Sequence, residues 1–157
     1  MAYQGFYIKK TAEGKTAVDV SSVYSVYAQE IPFHIIGKTK ELASNNWYDE
    51  DGEDVYIPST IKSESYEMSC KFVCKALRNE AASKVKAFID FLRGTDGCAE
   101  FSIYDPYYKI GRQGCYLLEV DESADVLSSK EGDNEYLIVS FGVKIKVCDP
   151  ITNVILA

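Results

Sequence analysis

Ser65 to Ala76 alternates with a period of two: Tyr66, Met68, Cys70, Phe72, Cys74 and Ala76 share one side of a pleat, while Glu67, Ser69, Lys71 and Lys75 share the other. Only Val73 breaks the pattern. A period of two over this length belongs to a long antiparallel strand with one buried face, because a parallel strand covered on both faces would read as apolar throughout. A few residues later the period changes. Ala82, Val85, Phe88, Ile89 and Leu92 recur at helical spacing, with Ser83, Lys84, Lys86 and Asp90 opposite them. The spacing predicts a helix over about 79–93, with Asn79 as N-cap, Glu80 in the first turn, Arg93 in the last, and Gly94 as the left-handed residue that ends it. A helix of about 14 residues is marginal by itself in water, so it has to lie against a β body.

The rest of the chain reads mainly as strand. Tyr3 to Lys9 and Ala17 to Val20 form a candidate pair across Glu13-Gly14, and Val23 to Ile36 is rich in β-branched and aromatic residues, although Pro32 limits or splits it. Ala99 to Tyr104, Cys115 to Val120, Glu135 to Phe141 and Val143 to Val147 are further strands, separated by Asp105-Pro106, Gly111/Gly114 and the polar stretch Asp121 to Asn134. The expected fold is mainly β (α+β), an antiparallel β-sandwich or barrel with one flanking α-helix, because most connections are too short for parallel crossovers. With 157 residues, no internal repeat and no Pro/Gly/Ser-rich linker, residues 1–157 are expected to form one domain. From about 37 to 59 the composition shifts to Asn, Asp, Glu and Gly around the single tryptophan, Trp47, and a long loop is expected there.

Composition argues against several functions. The net charge is −7 and the pI about 4.8, which repels phosphate backbones and predicts no specific nucleic-acid binding. No apolar run reaches the roughly 18 residues of a membrane span, and Met1-Ala2-Tyr3-Gln4-Gly5-Phe6 has neither the basic nor the apolar segment of a secretion signal. A lone histidine, His34, cannot build a His-rich metal site or relay. The five cysteines, Cys70, Cys74, Cys98, Cys115 and Cys148, contain no C-x-x-C pair and read as reduced, small core residues. A thiol–imidazole pair between His34 and Cys70, Cys74 or Cys98 carries no local signature. Gly111 and Gly114 give only G-R-Q-G, without a Walker lysine. In the acidic run from Asp49 to Asp54, Gly52 stands fourth and Thr60 twelfth, unlike a calcium-binding EF-hand loop. No catalytic, cofactor or metal-binding residue is expected, and the chain reads as a non-enzyme. The excess of twelve tyrosines points to sheets and contacts. The suspected interface residues are Trp47, Tyr48 and Tyr56 in the loop, and Tyr107, Tyr108 and Arg112 around a second aromatic turn, since Trp, Tyr and Arg are enriched among interface anchors.

Three stretches carry a family resemblance: Trp47 to Pro58 (WYDEDGEDVYIP), Ile103 to Gly114 (IYDPYYKIGRQG) and Phe141 to Pro150 (FGVKIKVCDP), together about a fifth of the chain. With the order of a long strand, a helix ending in FLRG at Phe91 to Gly94, a strand with a Tyr-Asp turn and a last strand closing on Asp-Pro, the chain resembles tail proteins of long-tailed bacteriophages, especially the N-terminal part of distal tail proteins. The resemblance implies a structural component of a phage or prophage tail, with a β-sandwich or barrel and a flanking helix. It would be made in the cytoplasm of the bacterial host, be located in the virion tail, and self-assemble into a homo-oligomeric ring or tube in contact with other tail proteins. A hexamer is one closed form of such a ring. Distal tail, tail-tube and tail-completion roles fit the motifs equally. Complete distal tail proteins often carry a second, carbohydrate-binding-like domain, whereas this sequence stops at Ala157, so receptor binding through such a domain is not expected. The acidic balance suits a conduit for DNA, whose lumen would then be lined with acidic side chains. The alternative reading is a carbohydrate- or calcium-dependent binding module that uses Trp47 and the Asp49–Asp54 turn.

Overall fold

The alternating dozen lies at the centre of the molecule. The computed structural model describes residues 4–156. In it, strand β6 (Tyr66–Leu77) runs antiparallel to the still longer β10 (Asn134–Val147), in register from Tyr66 opposite Val147 to Leu77 opposite Tyr136. Around this pair stand β1 (Tyr7–Lys10), β2 (Val18–Asp19), β3 (Val26–Glu30), β7 (Phe101–Asp105), β8 (Ile110–Val120) and β9 (Asp125–Glu131). Together they form one eight-stranded antiparallel sheet in the order β2-β1-β7-β8-β10-β6-β3, with β9 added to β10. The sheet curls until its flanks meet. The Gln4 N–H donates to the Ala28 carbonyl at 3.2 Å, and the Ala28 N–H donates back to the Gln4 carbonyl at 2.8 Å. The expected sandwich or barrel is therefore a barrel of β1, β7, β8, β10, β6 and β3, joined at one bridge.

So narrow a barrel is filled by its own side chains. Ile8, Met68, Phe72, Ile103, Ile145 and Val147 are all buried inside it. Helix α2 (Ala81–Arg93) closes one end: Phe88, fully buried, meets Phe6, Phe72 and Phe141 with ring centroids at 6.1, 5.5 and 6.0 Å, each edge-on. Three edge-to-face contacts on one ring are favourable beyond the burial itself. The helix starts slightly later than its spacing predicted. A turn from Leu77 to Glu80 contains Asn79, so Glu80 occupies the N-cap without a side-chain bond, and Ala81 rather than Ala82 is buried. At the other end Gly94 has φ +85°, and a Cβ there would come within 2.7 Å of the Ala99 backbone. The ammonium of Lys10, buried on β1, donates to the carbonyls of Phe91 and Cys98 and lies 4.4 Å from the Phe91 ring centroid, which ties the helix end to the barrel. Burial lowers the Lys10 pKa, and Asp96 at 3.6 Å opposes that shift.

The structure corrects the sequence reading in four places. First, the described residues form two helices, because Asp19 caps a short α1 (Val20–Tyr24): its carboxylate accepts from the Ser21 N–H and hydroxyl, and this local capping prevails over the strand propensity of the valines. Second, Glu135 to Phe141 and Val143 to Val147 are one strand, since Gly142 stays extended in register opposite Lys71. Third, the polar stretch Asp121 to Asn134 contains β9, which the backbone ladder of β10 holds through a turn at Gly132. β9 is solvated on both faces, so it shows no alternation. Fourth, only Cys70, Cys74 and Cys115 are core residues; Cys98 is half-buried and Cys148 exposed. Of the first predicted strand, Tyr3 lies outside the described residues and regular pairing begins at Tyr7.

Candidate functional site

Between β3 and β6 the chain leaves the barrel and returns as an arm. At its base the Glu64 N–H donates to the Lys38 carbonyl at 2.7 Å and the Lys40 N–H to the Lys62 carbonyl at 2.8 Å. Further out, β4 (Ser44–Asn45) and β5 (Asp54–Val55) pair antiparallel, and the Tyr56 N–H donates to the Ala43 carbonyl at 2.9 Å. Trp47 to Glu53 form the tip, with a Glu50 N–H to Trp47 carbonyl bond at 3.3 Å and Gly52 at φ +79°. The loop expected at about 37–59 is thus a two-limbed ribbon whose return limb extends to Glu64. It is poor in regular structure because two strands with no third layer have no face to bury.

The arm exposes what it carries. Tyr48 is wholly exposed, Tyr56 is 74% exposed and Trp47 52%, and Ile57 and Ile61 also face solvent. Charge is sorted along it. Asp49, Glu50, Asp51, Glu53 and Asp54 crowd the tip, while Lys38, Lys40 and Lys62 stand at the base against Glu41 and Glu64. Glu64 is already engaged with Lys38 at 3.8 Å.

Beside the root of the arm lies an open groove of about 550 Å³, lined by Ile31, Pro32, Phe33 and Ile35 from the segment that follows β3 and by Tyr107, Tyr108 and Ile110 from the turn between β7 and β8. Tyr107 and Tyr108 are 72% and 64% exposed and stand edge-on to each other, with ring centroids 4.9 Å apart. Asp105 forms the floor. Its buried carboxylate accepts from Gln4 Nε2 at 3.2 Å and from the Tyr107 N–H at 2.9 Å, and burial raises its pKa. The latter bond shapes the turn that presents the tyrosines.

Five of the six suspected interface residues are therefore exposed, in two separate clusters: Trp47, Tyr48 and Tyr56 on the arm, and Tyr107 and Tyr108 on the groove. Arg112 departs from that expectation. It is 6% exposed, and its guanidinium donates to the carbonyls of His34 (3.0 Å), Gly111 (3.1 Å) and Thr152 (3.5 Å), leaving Nε without a partner. Gly111 and Arg112 are both buried here, under the segments of His34 and Thr152, so a residue that looks like a surface cation in the sequence is covered and clamps the root of the arm to the C-terminal segment. That segment lies close: a Cβ on Gly111 would meet the Val154 carbonyl at 1.9 Å. Sequence reasoning missed the groove. Its two walls are about 70 residues apart in the chain, and Ile31, Pro32 and Phe33 read as part of a strand.

The arrangement offers contact surfaces and no paired nucleophile and base. The His34 ring stacks on Tyr66 at 4.0 Å, while the Cys74, Cys98 and Cys115 thiols donate to the carbonyls of Tyr24, Glu100 and Arg112. Burial drives the Cys70 pKa strongly upward and pushes that of Cys115 up to about 12, so both stay protonated. The acidic tip does not converge. Among the described residues no three His, Cys, Asp or Glu side chains are grouped to hold a metal ion. No described helix is long and apolar enough to cross a membrane.

No family model matches the chain, and no curated protein matches it in sequence. Among solved structures it is similar to the Dit (gp 19.1) protein of phage SPP1, described as a paradigm of the hub adsorption apparatus in phages that infect Gram-positive bacteria. The TM-score is 0.42 and the identity 10%, with 88% of this chain and 49% of that one covered. The chain thus spans about half the length of that protein, and no site residue is carried over from it.

Proposed function

We propose that this chain is a structural subunit of a phage or prophage tail that assembles with copies of itself, and with other tail proteins, into a ring or tube in the virion tail, without catalysis. The observation that carries the reading is the arm: a solvated ribbon bearing Trp47, Tyr48 and Tyr56 on a protein whose remaining aromatic core is well buried. A ribbon whose apolar side chains are at most half-buried, as Leu42, Val55 and Pro58 are, contributes little to folding, and its large aromatic surface makes physical sense only when something else covers it.

Two further observations support it. β8 pairs with β7 only as far as Cys115, and β9 pairs with β10 alone, so among the described residues one edge from Tyr116 through Glu131 is without a strand partner, an invitation to sheet-to-sheet association. The sequence motifs around Trp47, Tyr104 and Phe141 resemble those of distal tail proteins. A distal-tail, tail-tube or tail-completion role places the same demands on these surfaces, and a hexamer is one closed form. The net charge of −7 suits a passage for DNA. Negative-stain electron microscopy together with light scattering over a concentration series tests the reading: rings or stacked tubes are expected, and a protein that stays monomeric and featureless at every concentration would refute it.

A further inference from the structure

We infer that the groove beside the arm takes the guanidinium of an arginine presented by a partner protein, with Asp105 as its counter-ion and Tyr107 and Tyr108 as its aromatic walls. This goes beyond the self-assembly reading and does not depend on it, since a single copy carries the whole site. The observation behind it is a buried carboxylate without a cation. Asp105 is 2% exposed and lines the groove, yet among the described residues no lysine, arginine or histidine lies within ion-pair distance of it. Its partners are neutral: Gln4 Nε2 donates to both oxygens at 3.2 Å, and the Tyr107 N–H donates to one of them at 2.9 Å. The other oxygen is left with a single long bond. A carboxylate withdrawn from water is costly unless a charge pairs with it. Burial is the leading cause of its raised pKa, and no cation is among the groups that oppose the shift.

Charge and ring chemistry select the occupant. The other charged side chain lining the groove, Glu30, is also acidic, and its partner Lys71 stands 4.0 Å away with both in solvent, where such a pair is weak. Lys109 on the same turn is exposed and outside the lining, and the Arg112 guanidinium is engaged with the carbonyls of His34, Gly111 and Thr152. The lining is therefore acidic, with no cation of its own among the described residues. Tyr107 and Tyr108 stand at 89° to each other, so they offer ring faces in two directions, and a ring face attracts a cation. A guanidinium suits this better than an ammonium, because it is planar, stacks on aromatic faces, is more weakly hydrated and matches a carboxylate with paired donors. A polypeptide is the fitting source. Free arginine would bring a carboxylate of its own into an acidic groove, whereas Ile31, Pro32, Phe33 and Ile35 can cover the apolar flanks of a peptide segment. The net charge of −7 favours a basic partner over a second copy.

The test titrates the full chain, labelled with ¹⁵N and ¹³C, with the capped peptide acetyl-Gly-Arg-Gly-amide and with its neutral counterpart carrying citrulline in place of arginine. Saturable shifts of the Phe33, Ile35, Tyr107 and Tyr108 amides are expected with the arginine peptide, and affinity at least about tenfold lower with citrulline. At saturation the midpoint of the Asp105 carboxyl titration should move to lower pH, because a cation favours the charged form. An equal response to both peptides, shifts confined to other surfaces, no saturable shift, or an unmoved Asp105 midpoint would each overturn the inference. Asp105→Asn keeps an acceptor for the Tyr107 N–H and should abolish the preference for arginine. Tyr108→Ala, a change at an exposed side chain, should weaken the arginine peptide about threefold with melting unchanged. Unchanged affinity in that variant would overturn the aromatic contact. A chain that binds the peptide but forms no ring or tube would refute the assembly reading and leave this one standing.

Discussion

The barrel and the arm use aromatic residues in opposite ways. Inside the barrel, Phe6 and Phe72 stack at 4.9 Å and Phe88 wedges against both, closing a core that excludes water. On the arm and the groove the rings are Trp47, Tyr48, Tyr56, Tyr107 and Tyr108, all largely in solvent. The difference is one polar atom. A phenylalanine in water offers nothing in return for its exposed surface, whereas a tyrosine hydroxyl or an indole N–H stays hydrated while the ring waits for a partner. Stability and contact are thereby assigned to different parts of the chain, and substitutions should separate them.

The largest effect is expected from Phe88→Ala. It removes the ring on which the end of the barrel closes and should cost about 3–5 kcal/mol in urea unfolding. Tyr48→Ala should cost less than about 0.5 kcal/mol in the same measurement, since it deletes a fully exposed side chain. A comparable loss from both would show that the arm is part of the folding unit. Next comes Lys10→Met, which keeps the aliphatic stem but leaves the carbonyls of Phe91 and Cys98 without their donor. A loss of about 1–3 kcal/mol is expected, with faster amide exchange over the last turn of α2, and unchanged exchange there would mean the helix end is held by Gly94 and Thr95 alone.

A pH-dependent effect is expected at Asp149, whose carboxylate accepts from Gln113 Nε2 at 2.8 Å and from the Ile151 and Thr152 N–H groups at 3.1 Å. These bonds, that from Gln113 foremost, lower its pKa to about 2. The folded form therefore releases this proton more readily than the unfolded one. The stabilisation is fully present above pH ~4 and is lost as the pH falls toward about 2. The difference in melting temperature between the wild type and Asp149→Asn should be constant in the first range and close in the second; a gap that persists at pH 2 would show that the charge is not its source.

How much was legible in the sequence follows from how locally each feature is encoded. The strand from Tyr66 and the helix ending at Gly94 are written in periodicity and in one left-handed residue, and both stand where the pattern placed them, within a residue or two. β9 was hidden because a strand with two wet faces has no alternation to read, and α1 because a two-residue cap outweighs propensity. Of the contact surfaces, the aromatic arm could be picked out by composition. Arg112 was misplaced because the segments that cover it, at His34 and Thr152, are distant in the chain.

The sequence alone determined the antiparallel β character, the central strand, the helix beside it, and the segment that would protrude. All of these depend on neighbours within a dozen positions. Only the tertiary structure decided that the sheet closes between Gln4 and Ala28, that Lys10 holds the end of α2, that Arg112 is covered, and that residues near 33 and 108 form one groove. Each of these joins residues more than twenty positions apart. Whether such groups meet depends on register and closure of the whole sheet, and no local pattern carries that information.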